Sequence, residues 1–222
     1  MTREEWLACT DPQKLLAFVQ GRASPRKLRL LACAFCHRVY HLLPEESRVF
    51  LDLGERVAEG LVSTLELARL RARMDCHPRK PVHLAAGAAR ATVEPFPFDA
   101  ATRASSWACS AVGDAAVKSG VSKTEEGHGR AEAECQADLV RDVVGNPFSW
   151  GRIDPLVARW NNGTVSRMAK GIYEDRRFGD LPLLRDALLG TGCDDEGLLY
   201  HLRYPSPHVR GCWVLDLLLG KT

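Results

Sequence analysis

A chain of 222 residues with 45% hydrophobic and 26% charged side chains has an ordinary globular composition. It is long enough to bury a core without staples and too apolar to be disordered. A formal charge of +2 excludes a strongly basic nucleic-acid coat protein. Basic residues nevertheless outnumber acidic ones over 1–90, and the reverse holds over 91–222, which leaves room for a basic docking face.

The opening MTREEWLACTDP lacks the apolar segment of a signal peptide, and no apolar run is long enough to cross a membrane. The expectation is a cytosolic chain whose cysteines are mostly free thiols. Helix starts then recur along the sequence. Thr2 and Glu5 stand at capping-box spacing, as do Ser63 and Glu66, so that hydroxyl and carboxylate can each serve a backbone amide of the first turn. Asp11-Pro12, Ser24-Pro25, Asp154-Pro155 and Ser206-Pro207 each pair a cap with a proline, whose missing N–H had no helical partner there. Gly21, Gly60, Gly120, Gly145, Gly163, Gly190 and Gly220 sit where apolar periodicity ends. Together these predict helices near 3–9, 12–20, 25–43, 45–59, 64–76, 82–92, 100–118, 124–144, 155–161, 165–177, 181–189, 195–203 and 207–219.

No segment alternates with period two for long, and no hairpin turn separates β-rich runs. The fold class is therefore all-α, a multi-helix globular array of about a dozen short to medium helices. Glu94-Pro95-Phe96-Pro97-Phe98 and Gly145-Asn146-Pro147-Phe148 mark breaks. They suggest an N-terminal helical unit at 1–93, connecting long helices at 94–144 and a C-terminal unit at 145–222, unless all three form one compact domain.

The stretch LRLLACAFCHRVYHLL holds Cys33-Ala34-Phe35-Cys36-His37, the C-x-x-C-H pattern of haem attachment. On a helical wheel Leu28, Leu31, Ala32, Phe35, Val39, Leu42 and Leu43 form an apolar stripe, with Cys36 at its edge. Cys33, His37 and His41 run along the flank at i, i+4 and i+8. Haem attachment needs export, which the sequence does not provide. Zinc is the better metal: Cys33, His37 and His41 offer three ligands, or Cys33 and Cys36 could join Cys76 and His77 in a Cys₃His set. Structural zinc sites usually hold C-x-x-C in a turn, however, and here it lies within a helix, so packing cysteines are the plainer reading.

Other clusters read as structure first. Glu174, Asp175, Arg176 and Arg177 form a charged run at a helix end, a surface for a protein partner or simply a complement to the helix dipole. Asp194, Asp195 and Glu196 precede a helix and suit its N-terminal cap. His128 and Glu132 read as an exposed polar turn. Arg26, Lys27, Arg29 and Arg38 lie on one helix and would suit a recognition helix in a DNA groove. The ending HVRGCWVLDLLLG is apolar nearly all round, so it reads as a buried helix whose Asp216 needs a partner. Trp6, Trp107, Trp150 and Trp160 could anchor a partner protein, although core packing is their commoner use. Phosphate loops, nucleophile elbows, H-E-x-x-H and EF-hand patterns are all absent from the sequence.

EEWLACTDPQKLLAFVQGRASPRKLRLLACAFC at the start and FGDLPLLRDALLGTGCDDEGLLYHLRYPSPHVRGCWVLDLLLGK at the end resemble a large group of hypothetical proteins from planctomycete bacteria. DLVRDVVGNPF and GIYEDRRF are similar to that group's central block. The resemblance implies a bacterial cytosolic protein and transfers no site. A basic residue follows C-x-x-C in that group, where this chain has His37, which weakens haem and any metal site through His37. The functional expectation is a non-enzymatic helical module that binds another protein, with no membrane and no cofactor. The alternatives are a nucleic-acid-binding regulator using the helix from Ser24, and a zinc protein using Cys33, Cys36, Cys76 and His77.

Overall fold

Thr2 and Glu5 close the anticipated capping box: the Glu5 amide donates to Thr2 Oγ1 at 3.2 Å, and the Thr2 amide donates to Glu5 Oε2 at 2.7 Å. They open α1 (Arg3–Ala8). Asp11 Oδ1 accepts from the Gln13 and Lys14 amides ahead of α2 (Pro12–Val19), and Ser24 Oγ accepts from Lys27 ahead of α3 (Pro25–Arg38). The computed structural model describes residues 1–75, 83–121, 123–148, 155–203 and 207–221. After α3 come α4 (Arg48–Ala58), α5 (Thr64–Asp75), α6 (Leu84–Ala91), α7 (Pro97–Lys118) and α8 (Glu126–Val144). Then follow α9 (Pro155–Asp175), α10 (Leu181–Gly190), α11 (Glu196–Arg203) and α12 (Trp213–Leu219). Three short 3₁₀ turns interrupt the series, at Tyr40–Leu42, Glu45–Ser47 and Phe178–Asp180, and no strand occurs among the described residues. The fold is an all-α array. No described helix is long and apolar enough to cross a membrane.

Several expected boundaries shift. α3 stops at Arg38 rather than 43: Val39 leaves helical dihedrals at φ −104° and ψ 18°, a 3₁₀ turn follows, and Leu43, at ψ 129° before Pro44, ends the run. α7 starts at Pro97, three residues early, since proline suits the first turn. The expected break at Gly163 does not end a helix: α9 runs through it, although Asn162 and Gly163 both take left-handed dihedrals, φ 56° and 77°. Arg167 bridges that irregularity by donating to Asn162 O and Thr164 Oγ1. α12 starts six residues late, because Gly211 at φ 90° turns the chain where a helix was expected.

The chain divides into two compact units, Met1–Val140 and Arg141–Thr222. In the first, α7, expected as a connector, packs along α3 and α6, and α4 packs on α3. Small residues allow the close approach: Ala104, Ala108 and Ala111 on α7, and Ala85, Ala88 and Ala89 on α6, are all buried. A Cβ at Gly87 would lie 2.6 Å from Trp107 Cδ2, so the indole requires glycine there. In the second unit α9 packs on α10 and α12, and α10 on α11. Their core includes Val165, Ile172, Leu184, Leu188, Leu198 and Leu215. Each such leucine contributes about 1.5–3 kcal/mol by leaving water. α12, only 7 residues long, is too short to stand as a helix without this packing.

Candidate metal centre

α8 ends in the second unit, and Asp142 lies in its last turn. Gly145 terminates the helix with φ 78°, its amide donating to Arg141 O at 2.8 Å. A carboxylate there faces the negative end of the helix dipole, and Asp142 is also buried, 2% exposed, so it requires strong local compensation. Three groups from the end of the chain supply it. His208 Nδ1 stands 2.6 Å from Asp142 Oδ1, and His201 Nε2 stands 3.1 Å from the same oxygen. The Val209 amide donates to Oδ2 at 3.0 Å. Burial alone would push this carboxyl up. The hydrogen bonds and charges of His201 and His208 more than offset burial and hold it below the ordinary carboxylate range.

Local backbone places these groups. His201 lies in the last turn of α11. Cys212 N–H closes a turn onto Val209 O at 3.0 Å, and left-handed Gly211 lies within it. His208 and Cys212 thus sit on either side of a bend rather than on one helix. Cys212 is the residue before α12, fully buried, with Sγ 3.2 Å from His201 Nε2. Trp213 fixes the assembly from the side: its ring lies 5.2 Å from that of His201, and a Cβ at Gly145 would come within 2.9 Å of its Cγ. The two histidine rings meet edge to face at 4.9 Å. Burial first, then the Asp142 carboxylate, push the Cys212 thiol well above its ordinary value, against the Leu215 and Val214 amides that favour the thiolate.

Cysteine, histidine and aspartate in contact suggest a nucleophilic triad, but the geometry does not fit one. A triad histidine uses one ring nitrogen for the nucleophile and the other for the acid. Here His201 Nε2 faces both Cys212 Sγ and Asp142 Oδ1. The sulfur is moreover buried and its thiol form favoured, the opposite of an activated nucleophile. What the arrangement does provide is convergence. One ligand atom from each of Asp142, His201, His208 and Cys212 lies within 4.8 Å of all the others. A tetrahedral zinc ion with bonds of about 2.0–2.3 Å sets its ligands roughly 3.3–3.8 Å apart. Three of the pairs, at 2.6, 3.1 and 3.2 Å, are shorter than that spacing, as hydrogen-bonded ligands are before an ion parts them, and all pairs lie within 4.8 Å. Two imidazoles, a thiol and a carboxylate form a donor set of zinc character rather than one for magnesium or calcium.

The residues singled out in the sequence lie elsewhere. Cys33 and Cys36 point into the core between α3, α4, α6 and α7, against Val39, Leu51 and Ala88. Burial, and then Glu55, push the Cys36 thiol up to about 12. His37 pairs with Glu55 at 2.7 Å. Among the described residues neither cysteine belongs to a group that could hold an ion, and Cys76 and His77 lie outside the described residues. Arg26 pairs with Glu59 at 3.2 Å, and Lys27 is half-buried. Arg29 is buried and donates to Thr92 O at 2.6 Å and Pro95 O at 3.4 Å. Arg38 grips Glu132 through contacts of 2.8–2.9 Å. Arg26, Arg29 and Arg38 are thus engaged with groups of their own unit. Glu132, expected in an exposed turn with His128, is instead a buried acid of α8, because Arg38 compensates its charge.

Glu174, Asp175, Arg176 and Arg177 are exposed at the end of α9. Arg176 takes φ 55°, and Arg177 N–H returns to Ile172 O at 3.0 Å, so the run closes a helix. Asp195 caps α11 as expected, accepting from Leu198 N–H at 3.0 Å. Asp216 is buried in α12. Trp6 is buried and Trp107 half-buried, while Trp150 and the Trp160 side chain lie outside what is described.

The sequence reading missed Asp142, His201, His208 and Cys212. The signal available was local: two histidines and a cysteine close together in LLYHLRYPSPHVRGCW, with proline and glycine between them to bend the chain. Comparison with protein-family models, with curated proteins and with solved structures finds no match.

Proposed function

We propose that this protein binds one divalent transition-metal ion of the zinc class through Asp142, His201, His208 and Cys212, and that it uses the ion structurally rather than catalytically. The convergence of these four ligand atoms within 4.8 Å of one another carries the reading. A buried ionisable cluster is costly in an otherwise apolar core, and well-packed hydrophobic residues would often stabilise such a site equally well. An ion that replaces the shared protons gives the cluster a reason to exist. Four protein ligands fill a tetrahedron and leave no position for substrate or water, as in structural zinc sites. Of the readings drawn from the sequence, the zinc alternative comes nearest, with the ion placed at Asp142, His201, His208 and Cys212 instead of Cys33, Cys36, Cys76 and His77.

The test is elemental analysis of the full chain after purification and dialysis, beside the Cys212→Ser and His208→Gln variants. The expected result is close to one zinc per wild-type chain and loss of zinc in both variants. Unchanged zinc in both variants, or none in the wild type on reconstitution, refutes it.

A further inference from the structure

The four ligands come from three separate places: the last turn of α8, the last turn of α11, and the bend that leads into α12. Residues Pro207–Val209 follow no regular structure, and a turn at Arg210 and Gly211 precedes Cys212. The described hydrogen bonds of this stretch include Val209 N–H to Asp142 Oδ2 and Cys212 N–H to Val209 O, both at 3.0 Å. Arg210 also ties the bend to α9 by donating to Glu174 O at 3.2 Å, so what an ion would fix is the seating of His208 and Cys212 against Asp142 and His201.

Resting on the metal reading above, we infer that the ion is a clamp: its binding fastens the 207–212 bend and α12 to the end of α8, so that metal supply controls the docking of the C-terminal helix. Loop closure supports this. An ion shared by Asp142, His201 and Cys212 ties together segments far apart in sequence, which removes the open conformations in which they separate. The metal-free cluster has the opposite character. Its carboxylate and thiol are buried and its imidazoles half-buried, and each gains well-solvated partners when the segment opens. α12 has 7 residues and cannot persist as a helix once undocked. Metal-free, the C-terminal end opens at the cost of uncovering Val214, Leu215 and Leu218; metal-bound, it opens only by releasing the ion as well.

Amide hydrogen exchange on the full-length chain tests this, with the protein stripped by chelator and then given zinc alone. Bound zinc is counted separately by elemental analysis. With free zinc at 100 times its dissociation constant, exchange of the 207–219 amides slows by about 100-fold, while amides of 3–118 hold their rates. One zinc per chain with 207–219 rates changed by less than about twofold, or with 3–118 slowed equally, overturns the clamp and leaves the metal site standing. No bound zinc overturns both. Asp142→Asn adds an internal control: with one ligand weakened, the same zinc concentration gives a smaller slowing at 207–219. Equal slowing in the variant also overturns the clamp.

Discussion

Two cysteine-bearing stretches of this chain exchange roles between sequence and structure. LACAFCHRV carries a recognisable motif, yet its two thiols face a core of small apolar side chains, and His37 is engaged with Glu55. HVRGCWVLDLLLG reads as a plain buried helix, yet its first part is a bend that brings His208 and Cys212 to Asp142 and His201. A motif on a regular helix keeps its residues at fixed helical angles, and those angles point Cys33 and Cys36 inward. A bend can aim neighbouring side chains at one point. Ligand sets from several elements need such a bend, and Gly211 supplies it.

The sharpest way to break this contrast is to remove sulfur from each stretch. Cys212→Ser lowers zinc affinity by more than about 100-fold, since a direct ligand is worth at least as much as the outer-shell groups that cost 10–100-fold. Cys33→Ala and Cys36→Ala leave zinc affinity unchanged and lower unfolding stability by about 1–2 kcal/mol through lost packing. Competition with a chromophoric chelator measures the first, urea melts the second. Equal zinc loss in both stretches would erase the distinction.

Next in size are the glycines under tryptophan. Gly145→Ala brings a Cβ to 2.9 Å from Trp213 Cγ at a left-handed backbone, and Gly87→Ala brings one to 2.6 Å from Trp107 Cδ2. Each costs roughly 2–3 kcal/mol in urea melts. Gly145→Ala also weakens zinc binding, because Trp213 buttresses His201, and Gly87→Ala does not. Arg29→Met follows, at about 1–3 kcal/mol, since it leaves the Thr92 and Pro95 carbonyls without their buried donor. Its effect on metal content is nil. The smallest change is favourable: Arg176→Gly relieves a left-handed residue at the end of α9 and raises the melting stability by about 0.5–1 kcal/mol.

Most of the fold was legible because local chemistry sets helix starts. Thr2, Asp11 and Ser24 cap helices in the structure as their spacing implied. The legible part ends where a glycine has two uses. Gly163 stands where periodicity suggests a stop and lies inside α9, while Gly211 stands within a helical pattern and bends the chain. Periodicity cannot separate these cases, because packing on distant elements decides them. The candidate centre was illegible for the same reason. Asp142 lies far from its partners in sequence, and its place in the last turn of α8 becomes meaningful only once His201 and His208 stand beside it. The charges of α3 taught the converse: Arg26, Arg29 and Arg38 look like a docking row in sequence, and each is engaged within its own unit.

X-ray absorption at the zinc edge of the purified full-length protein tests the central claim most directly, because it counts the atoms around the ion. A centre built by Asp142, His201, His208 and Cys212 gives one sulfur at about 2.3 Å and three nitrogen or oxygen neighbours at about 2.0–2.2 Å. A shell with two or three sulfurs contradicts it and favours a cysteine-rich set such as Cys33, Cys36, Cys76 and His77.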